Sequence, residues 1–289
     1  MHKRNHSPNG QCLNHLIPKI DHALVNTSEK VDILIVNDGS TIKNNLSFKK
    51  ISKLNKIEIL NLKTNVNSQI AIATGLNFLK KEKFEGGIII MDADGQDDPE
   101  CLIKIIEEVK KDTKSTITVN RSKRKDEVKF KILYQIYLFL SFLLTFKYLK
   151  FGVYSYLGSN SLNKILSTND IYLAYAASIA KHFKNRKVIF AARKKRITGK
   201  SQNNYLSLTH YALKIISVFR KQVLINSGML IFIGLILSNF KFLSSFFLLI
   251  FFAFLIFNVI VFLIANRINK SEAIGNTLIN IENIENLIR

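Results

Sequence analysis

From residue 31 onward, short β-branched runs alternate with stretches whose apolar residues repeat at helical spacing. Residues 31–36 (V-D-I-L-I-V) and 57–62 read as strands, and residues 88–91 and 115–119 (S-T-I-T-V) as two more. Between them, residues 69–81 place Ile70, Ala73, Leu76, Asn77 and Leu79 near one helical face. Pro99 stands where a helix prefers to begin, and Leu102, Ile105, Ile106 and Val109 then recur at helical intervals. Strands alternating with helices predict right-handed βαβ units and a mainly parallel sheet, whose ligands gather beyond the carboxyl ends of the strands. Two loops lie just there: Asn37-Asp38-Gly39-Ser40 after the first strand, and Asp92-Ala93-Asp94-Gly95-Gln96-Asp97-Asp98-Pro99-Glu100 after the third.

The pattern changes in the last third. Residues 222–240 and 242–265 are essentially free of charge, with only Lys241 between them, and each is long enough to cross a hydrocarbon core of about 30 Å. Phe246 to Phe257 is apolar all round, which disfavours two buried helices of a soluble bundle. Arg220 and Lys221 flank one outer end and Arg267 and Lys270 the other, so the positive-inside rule predicts a hairpin with both ends in the cytoplasm. Residues 132–146 are apolar but short for a span, and read as an amphipathic or membrane-surface helix in preference to a third crossing. Residues 206–219 form a second such candidate. The Asn- and Glu-rich tail after Ser271 reads as one short helix.

Charge sharpens this division. Among 289 residues, 42 Lys+Arg against 21 Asp+Glu leave a formal net charge of +21. Such an excess favours polyanions. Beside membrane-length apolar runs it points to anionic lipid and phosphate groups, and no compact basic stripe with stacking aromatics suggests nucleic acid. Cys12 and Cys101 are too few and too distant for a disulfide framework or a zinc site. The polar first residues, 1–11, lack the apolar core of a secretory signal, so the soluble part is expected in the cytoplasm.

The chemistry concentrates in one loop. Asp92, Asp94, Gln96, Asp97 and Asp98 crowd oxygen ligands together, and carboxylates so close repel unless cations such as Mg²⁺ or Mn²⁺ neutralise them. A solvated acidic turn before the helix after Pro99 is the plainer alternative. A calcium EF-hand is excluded because Gly95 falls at the fourth position of the loop and Ile103 stands where a bidentate Glu belongs. Thr198-Gly199-Lys200-Ser201 ends like a phosphate-binding P-loop, but Lys194 occupies the first glycine position and no apolar strand leads into it. The histidines show no paired ligand spacing.

Taken together, Val36-Asn37-Asp38-Gly39-Ser40, the looser set Asn65, Asn67, Ile70, Ala71, Ala73 and Gly75, and Met91 to Glu100 with its D-x-D-x-Q-D-x-P-E string resemble the family 2 glycosyltransferases of the GT-A fold. Polyprenyl-phosphate (dolichol-phosphate) sugar transferases are the most similar group. The resemblance implies an α/β architecture: a GT-A domain with a Rossmann-like, mainly parallel sheet over residues 1–205, a juxtamembrane amphipathic helix at 206–221, a transmembrane hairpin at 222–266 and a cytoplasmic tail at 267–289. It gives Asp38 to the uracil or guanine ring and ribose. Asp92, Asp94 and Gln96 go to the metal and diphosphate, Asp97 and Arg121 to the neighbourhood of the acceptor. Arg196, Gly199 and Ser201 match an R-x-x-G-x-S segment whose cation lies by the phosphates and whose loop closes over the donor. Arg196 joins Asp97 and Arg121 in the catalytic set, while Asp38, Gly199 and Ser201 bind substrate.

Three features depart from that family. Residues 6–21 stand in place of its first strand and Pro-x-Tyr-Asn-Glu turn. Phe151-Gly152-Val153-Tyr154-Ser155 lacks the Asp and Arg of its S-G-F-R pattern, and the absence of Trp removes the Q-x-x-R-W motif of processive synthases. The expectation is thus a metal-dependent (Mg²⁺ or Mn²⁺) inverting transferase, a multi-pass membrane protein with a cytoplasmic catalytic domain. Its partners would be a nucleotide-sugar donor, a lipid-phosphate acceptor and the membrane, with self-association left open. A glycan or protein acceptor, or a non-catalytic membrane partner of an active transferase, are the rival readings.

Overall fold

Helix formation starts ahead of the first predicted strand, because Leu13, Leu16, Ile17, Ile20 and Leu24 recur every three or four residues and can all be buried along one stripe. In the computed structural model, which describes residues 10–39, 46, 48, 51–121, 128–197, 205–237, 241–268 and 270–288, they are buried. Side chains at 121, 128–131, 205, 241–246, 270–272 and 288 are outside that description. The chain runs α1 (Gly10–Leu24), β1 (Val31–Asn37), β2 (Leu54–Leu62), α2 (Ser68–Lys81), β3 (Ile88–Ile90), α3 (Cys101–Lys111), β4 (Thr116–Arg121), α4 (Val128–Thr145) and β5 (Phe151–Leu157). It continues through α5 (Ser161–Leu166), α6 (Asp170–Leu173), α7 (Tyr175–His182), β6 (Lys187–Ala191), α8 (Tyr205–Val218), α9 (Arg220–Leu237), α10 (Lys241–Asn266), α11 (Lys270–Ile279) and β7 (Ile281–Ile288).

Among the described residues the strands form two sheets, ordered β1-β2-β7 and β3-β5-β4-β6. Only β1 with β2 and β4 with β6 are parallel; β2 with β7, β3 with β5 and β4 with β5 are antiparallel. The single, mainly parallel sheet expected from the sequence is therefore corrected to a mixed arrangement. The cause is β5, which enters between β3 and β4. Its Phe151, Val153, Tyr154, Tyr156 and Leu157 are all buried, so a central position suits it. β1 and β3 feed one apolar core with α1 and α3, through Ile35, Ile89, Met91 and Leu102, yet no ladder joins them among the described residues.

The tail is corrected as well. It forms a helix, α11, followed by a strand: β7 covers the outer edge of β2, with Ile284 opposite Leu60 and Asn283 opposite Asn61. Asn61 Nδ2 donates to Asn283 Oδ1 and Glu285 Oε1, each at 2.7 Å. Apolar residues at 281, 284, 287 and 288 do not alternate, so the strand owes its form to the open edge of β2 rather than to its own pattern. Asn77 Nδ2 also reaches Thr277 Oγ1 at 3.2 Å, fixing α11 against α2.

Helices α9 and α10 are long and apolar enough to cross a membrane, over Arg220–Leu237 and Phe247–Asn266, with 17% and 11% of those windows buried. Such low burial exposes Leu224, Phe232, Leu249, Phe252 and Leu263. α4 is the expected apolar helix, with Ile132, Leu133, Ile136, Phe139 and Leu140 exposed. Its last turn is held by α9: Asn226 Nδ2, on a buried side chain, donates to the carbonyls of Leu143 (3.2 Å) and Leu144 (3.0 Å). Carbonyls at a helix end have no partner within the helix, so this contact supplies one.

Candidate functional site

The loop after β3 is shaped by its own carboxylates. Asp97 turns inward, 6% exposed, and its Oδ2 accepts the N–H of Asp92 at 2.9 Å. Asp94 Oδ1 accepts the N–H of Gln96 at 3.0 Å, and Asp98 Oδ1 that of Glu100 at 3.1 Å. Gly95, between Asp94 and Gln96, lies at φ +75°, a left-handed conformation that suits glycine. The buried Tyr154 hydroxyl donates to the Asp98 carbonyl at 3.2 Å from below. Burial pushes the Tyr154 phenol up and the Cys101 thiol up to about 11, so neither ionises near neutrality.

Across this loop lies the segment that follows β6, residues 192–197. Lys194 N–H donates to the Gln96 carbonyl at 2.9 Å and Ile197 N–H to the Asp94 carbonyl at 3.3 Å. Three cationic side chains then meet the loop in turn. Arg193 donates to Gln96 Oε1, Lys194 Nζ lies 2.8 Å from Asp98 Oδ1, and Arg196 NH2 lies 2.9 Å from Asp94 Oδ2. Ile197 closes over Gly95 so tightly that a Cβ there would fall 2.2 Å from its Cδ1. We call residues 192–197 the strap.

Asp94, Gln96 and Arg196, expected to share the phosphate and metal region, are thus brought together. Arg121 ends β4 opposite Ala191, the last residue of β6, so its backbone adjoins the start of the strap. Asp97 lines a hollow of about 10 Å³ with Val119, Gly152, Tyr154 and Arg193. That is room for about one water. Gly199 and Ser201 lie outside the described residues. Asp38, 4% exposed, directly follows β1; its Oδ1 accepts Val66 N–H at 2.7 Å and its carbonyl accepts Asn65 Nδ2 at 2.9 Å. Gly39, at φ +66°, lets the turn pass within 2.5 Å of Asn65 N, measured from where a Cβ would stand. Asn67 then caps α2 by accepting from Gln69 and Ile70 N–H.

Sequence reasoning missed Arg193 and Lys194 as site residues. The available signal was the basic run Arg193 to Arg196 directly after an apolar strand, which reads equally as a lipid-facing patch. As for a divalent ion, the donor chemistry fits: Asp94 Oδ2 already takes a cation, the Arg196 guanidinium, and half-buried Asp92 stands two residues earlier. Among the described residues no three His, Cys, Asp or Glu side chains form a cage, so an ion here needs phosphate oxygens to complete its shell.

The chain is thus a mixed α/β protein with an acidic loop at a strand end gripped by cations. Residues 10–171 match the model of glycosyl transferase family 2, and the chain belongs to that family. It is similar to a Bacillus subtilis (strain 168) protein described as the uncharacterized glycosyltransferase YkcC, 31% identical over 114 residues. That match spans 39% of this chain and 34% of the relative, so the chain is matched over about a third of the relative's length.

Proposed function

We propose that this family 2 glycosyltransferase is anchored in a membrane and transfers a sugar, with inversion, from a nucleoside diphosphate to a lipid phosphate of the polyprenyl type. One observation carries this reading most: a loop of four aspartates is held by Arg193, Lys194 and Arg196, charges that can pass to a diphosphate when it arrives. Asp92, Asp94 and Gln96 would hold Mg²⁺ or Mn²⁺. When bound, the ion would act as a Lewis acid that offsets the charge growing on the leaving diphosphate. Arg196 and Arg193 would share that task, since fixed cations in a water-poor site stabilise developing charge without reorganising. Asp38 orients the nucleoside side through the turn it braces at Val66. A lipid phosphate is already an anionic nucleophile, so it needs positioning by cations such as Arg121 more than a strong base.

Anchoring has its own support. The chain enters α9 from β6 by way of α8, and after α10 it returns to β7, which pairs with β2, so both outer ends of the α9–α10 hairpin lead back to strands of the α/β part. If the hairpin crosses a bilayer, both ends lie on the side of the catalytic domain, and the basic flanks favour the cytoplasm. A second reading, a non-catalytic membrane partner, is favoured by the absence, among the described residues, of a ladder between β1 and β3.

The test is titration calorimetry of UDP and GDP, with and without Mn²⁺. Mn²⁺ should raise affinity for one nucleotide, by linkage of about 5–150-fold, and Asp94→Asn should abolish the gain. Equal affinities in EDTA and in Mn²⁺ for the folded parent chain would sink the metal-dependent reading.

A further inference from the structure

The strap does more than lie near the acidic loop: it occupies the loop's outward oxygen. Asp94 commits Oδ1 to the Gln96 N–H, so Oδ2 is the oxygen left for a cation, and Arg196 NH2 holds it at 2.9 Å. The hold is cooperative. Ile197 N–H binds the Asp94 carbonyl, the Ile197 side chain covers Gly95, and Lys194 is fixed at both its amide and its ammonium. The Arg196–Asp94 pair is partly open to solvent, with side-chain exposures of 33% and 23%, so it can exchange partners.

We propose that Arg196 is a built-in substitute for the divalent ion: the two compete for Asp94 Oδ2, and binding of metal with a nucleoside diphosphate moves Arg196 from Asp94 to the phosphates. The inference rests on the metal-dependent reading above and adds the order of events at that site. Two cations cannot share one carboxylate oxygen without strong mutual repulsion, so an ion entering alone must first displace the guanidinium. An ion arriving with a diphosphate gives the released guanidinium a doubly charged partner close by. Metal therefore binds weakly by itself and tightly with nucleotide. The strap lifts only when both are present, which keeps the acidic loop neutralised between turnovers.

Mn²⁺ binding to the full chain in detergent, followed by electron paramagnetic resonance without nucleotide, separates the possibilities. Arg196→Gln removes the competitor and should bind Mn²⁺ about two- to fivefold more tightly than the parent, the scale of a partly exposed ion pair. Arg196→Lys keeps a competing cation and should stay near the parent. Ile197→Ser, which loosens the strap without altering charge, should tighten Mn²⁺ binding in the same direction. In the presence of Mn²⁺, Arg196→Gln should instead weaken binding of the nucleoside diphosphate, a reversal that a purely structural strap would not produce. Unchanged or weaker Mn²⁺ binding in both Arg196→Gln and Ile197→Ser, with binding intact in the parent, would overturn the competition while leaving metal dependence standing. Failure of the parent and of every variant to bind Mn²⁺ at millimolar concentration would overturn both.

Discussion

Gly95→Ala tests whether the strap is held where the site requires it. A Cβ at residue 95 would stand 2.2 Å from Ile197 Cδ1 and 2.5 Å from its Cγ1, so the Ile197 side chain must shift off the loop. The residue also sits at φ +75°, a conformation that costs an L-residue about 1–2 kcal/mol. Against this, the strap is held by two backbone hydrogen bonds, each worth about 0.5–1.5 kcal/mol net. Its contacts to Asp94 and Asp98 are partly exposed, at about 0.2–1 kcal/mol each. Docking thus amounts to a few kcal/mol, and the substitution removes about half or more of it. The strap should come away while the core under Leu102 and Ile105 stays folded. Hydrogen exchange at the Lys194 and Ile197 amides should speed up by about tenfold or more, and trypsin should cut sooner after Arg193, Lys194 or Arg196. Parent-like protection of both amides in Gly95→Ala would refute the reasoning, because the geometry leaves no space for an undisturbed strap.

Other consequences are open to direct measurement. Arg196→Ala should lower turnover on the order of 10² while thermal unfolding changes little, and full activity in detergent would assign the basic run to lipid headgroups. Alkaline carbonate should not extract the protein, and reporters fused after Arg289 and before Met1 should answer from the same side; opposite sides would contradict the hairpin. Asp170 is buried, which alone would raise its pKa, but hydrogen bonds from His182 and Lys181, both at 2.7 Å, outweigh burial and hold it below the usual carboxylate range. Its contribution to stability should be full above its unfolded pKa of about 3.9 and be lost as pH falls through the lower folded value. Asp170→Asn should accordingly cost about 2 kcal/mol at neutral pH and flatten the acid limb of the stability profile; an unchanged acid limb would count against the network.

The elements with strong local signals were legible without any structure. Residues 31–36 and 57–62 are β-branched runs that must hide on a sheet, and 222–265 is apolar over lengths that form the two long helices α9 and α10. The acidic loop was legible too, as five oxygen-bearing side chains within seven residues after a strand. What only the tertiary structure decided are relations between distant segments. β5 lies antiparallel between β3 and β4 because that slot buries Phe151 to Leu157 on both faces, a fact of neighbours rather than of spacing. β7 is a strand because β2 offers an open edge to a segment more than 200 residues away, and a ladder needs a partner that no local pattern names. The strap is the clearest case. Arg193 to Arg196 carries the same charge whether it faces lipid or Asp94, and only the parallel pairing of β6 with β4, which aims the chain across the loop after β3, selects one of the two.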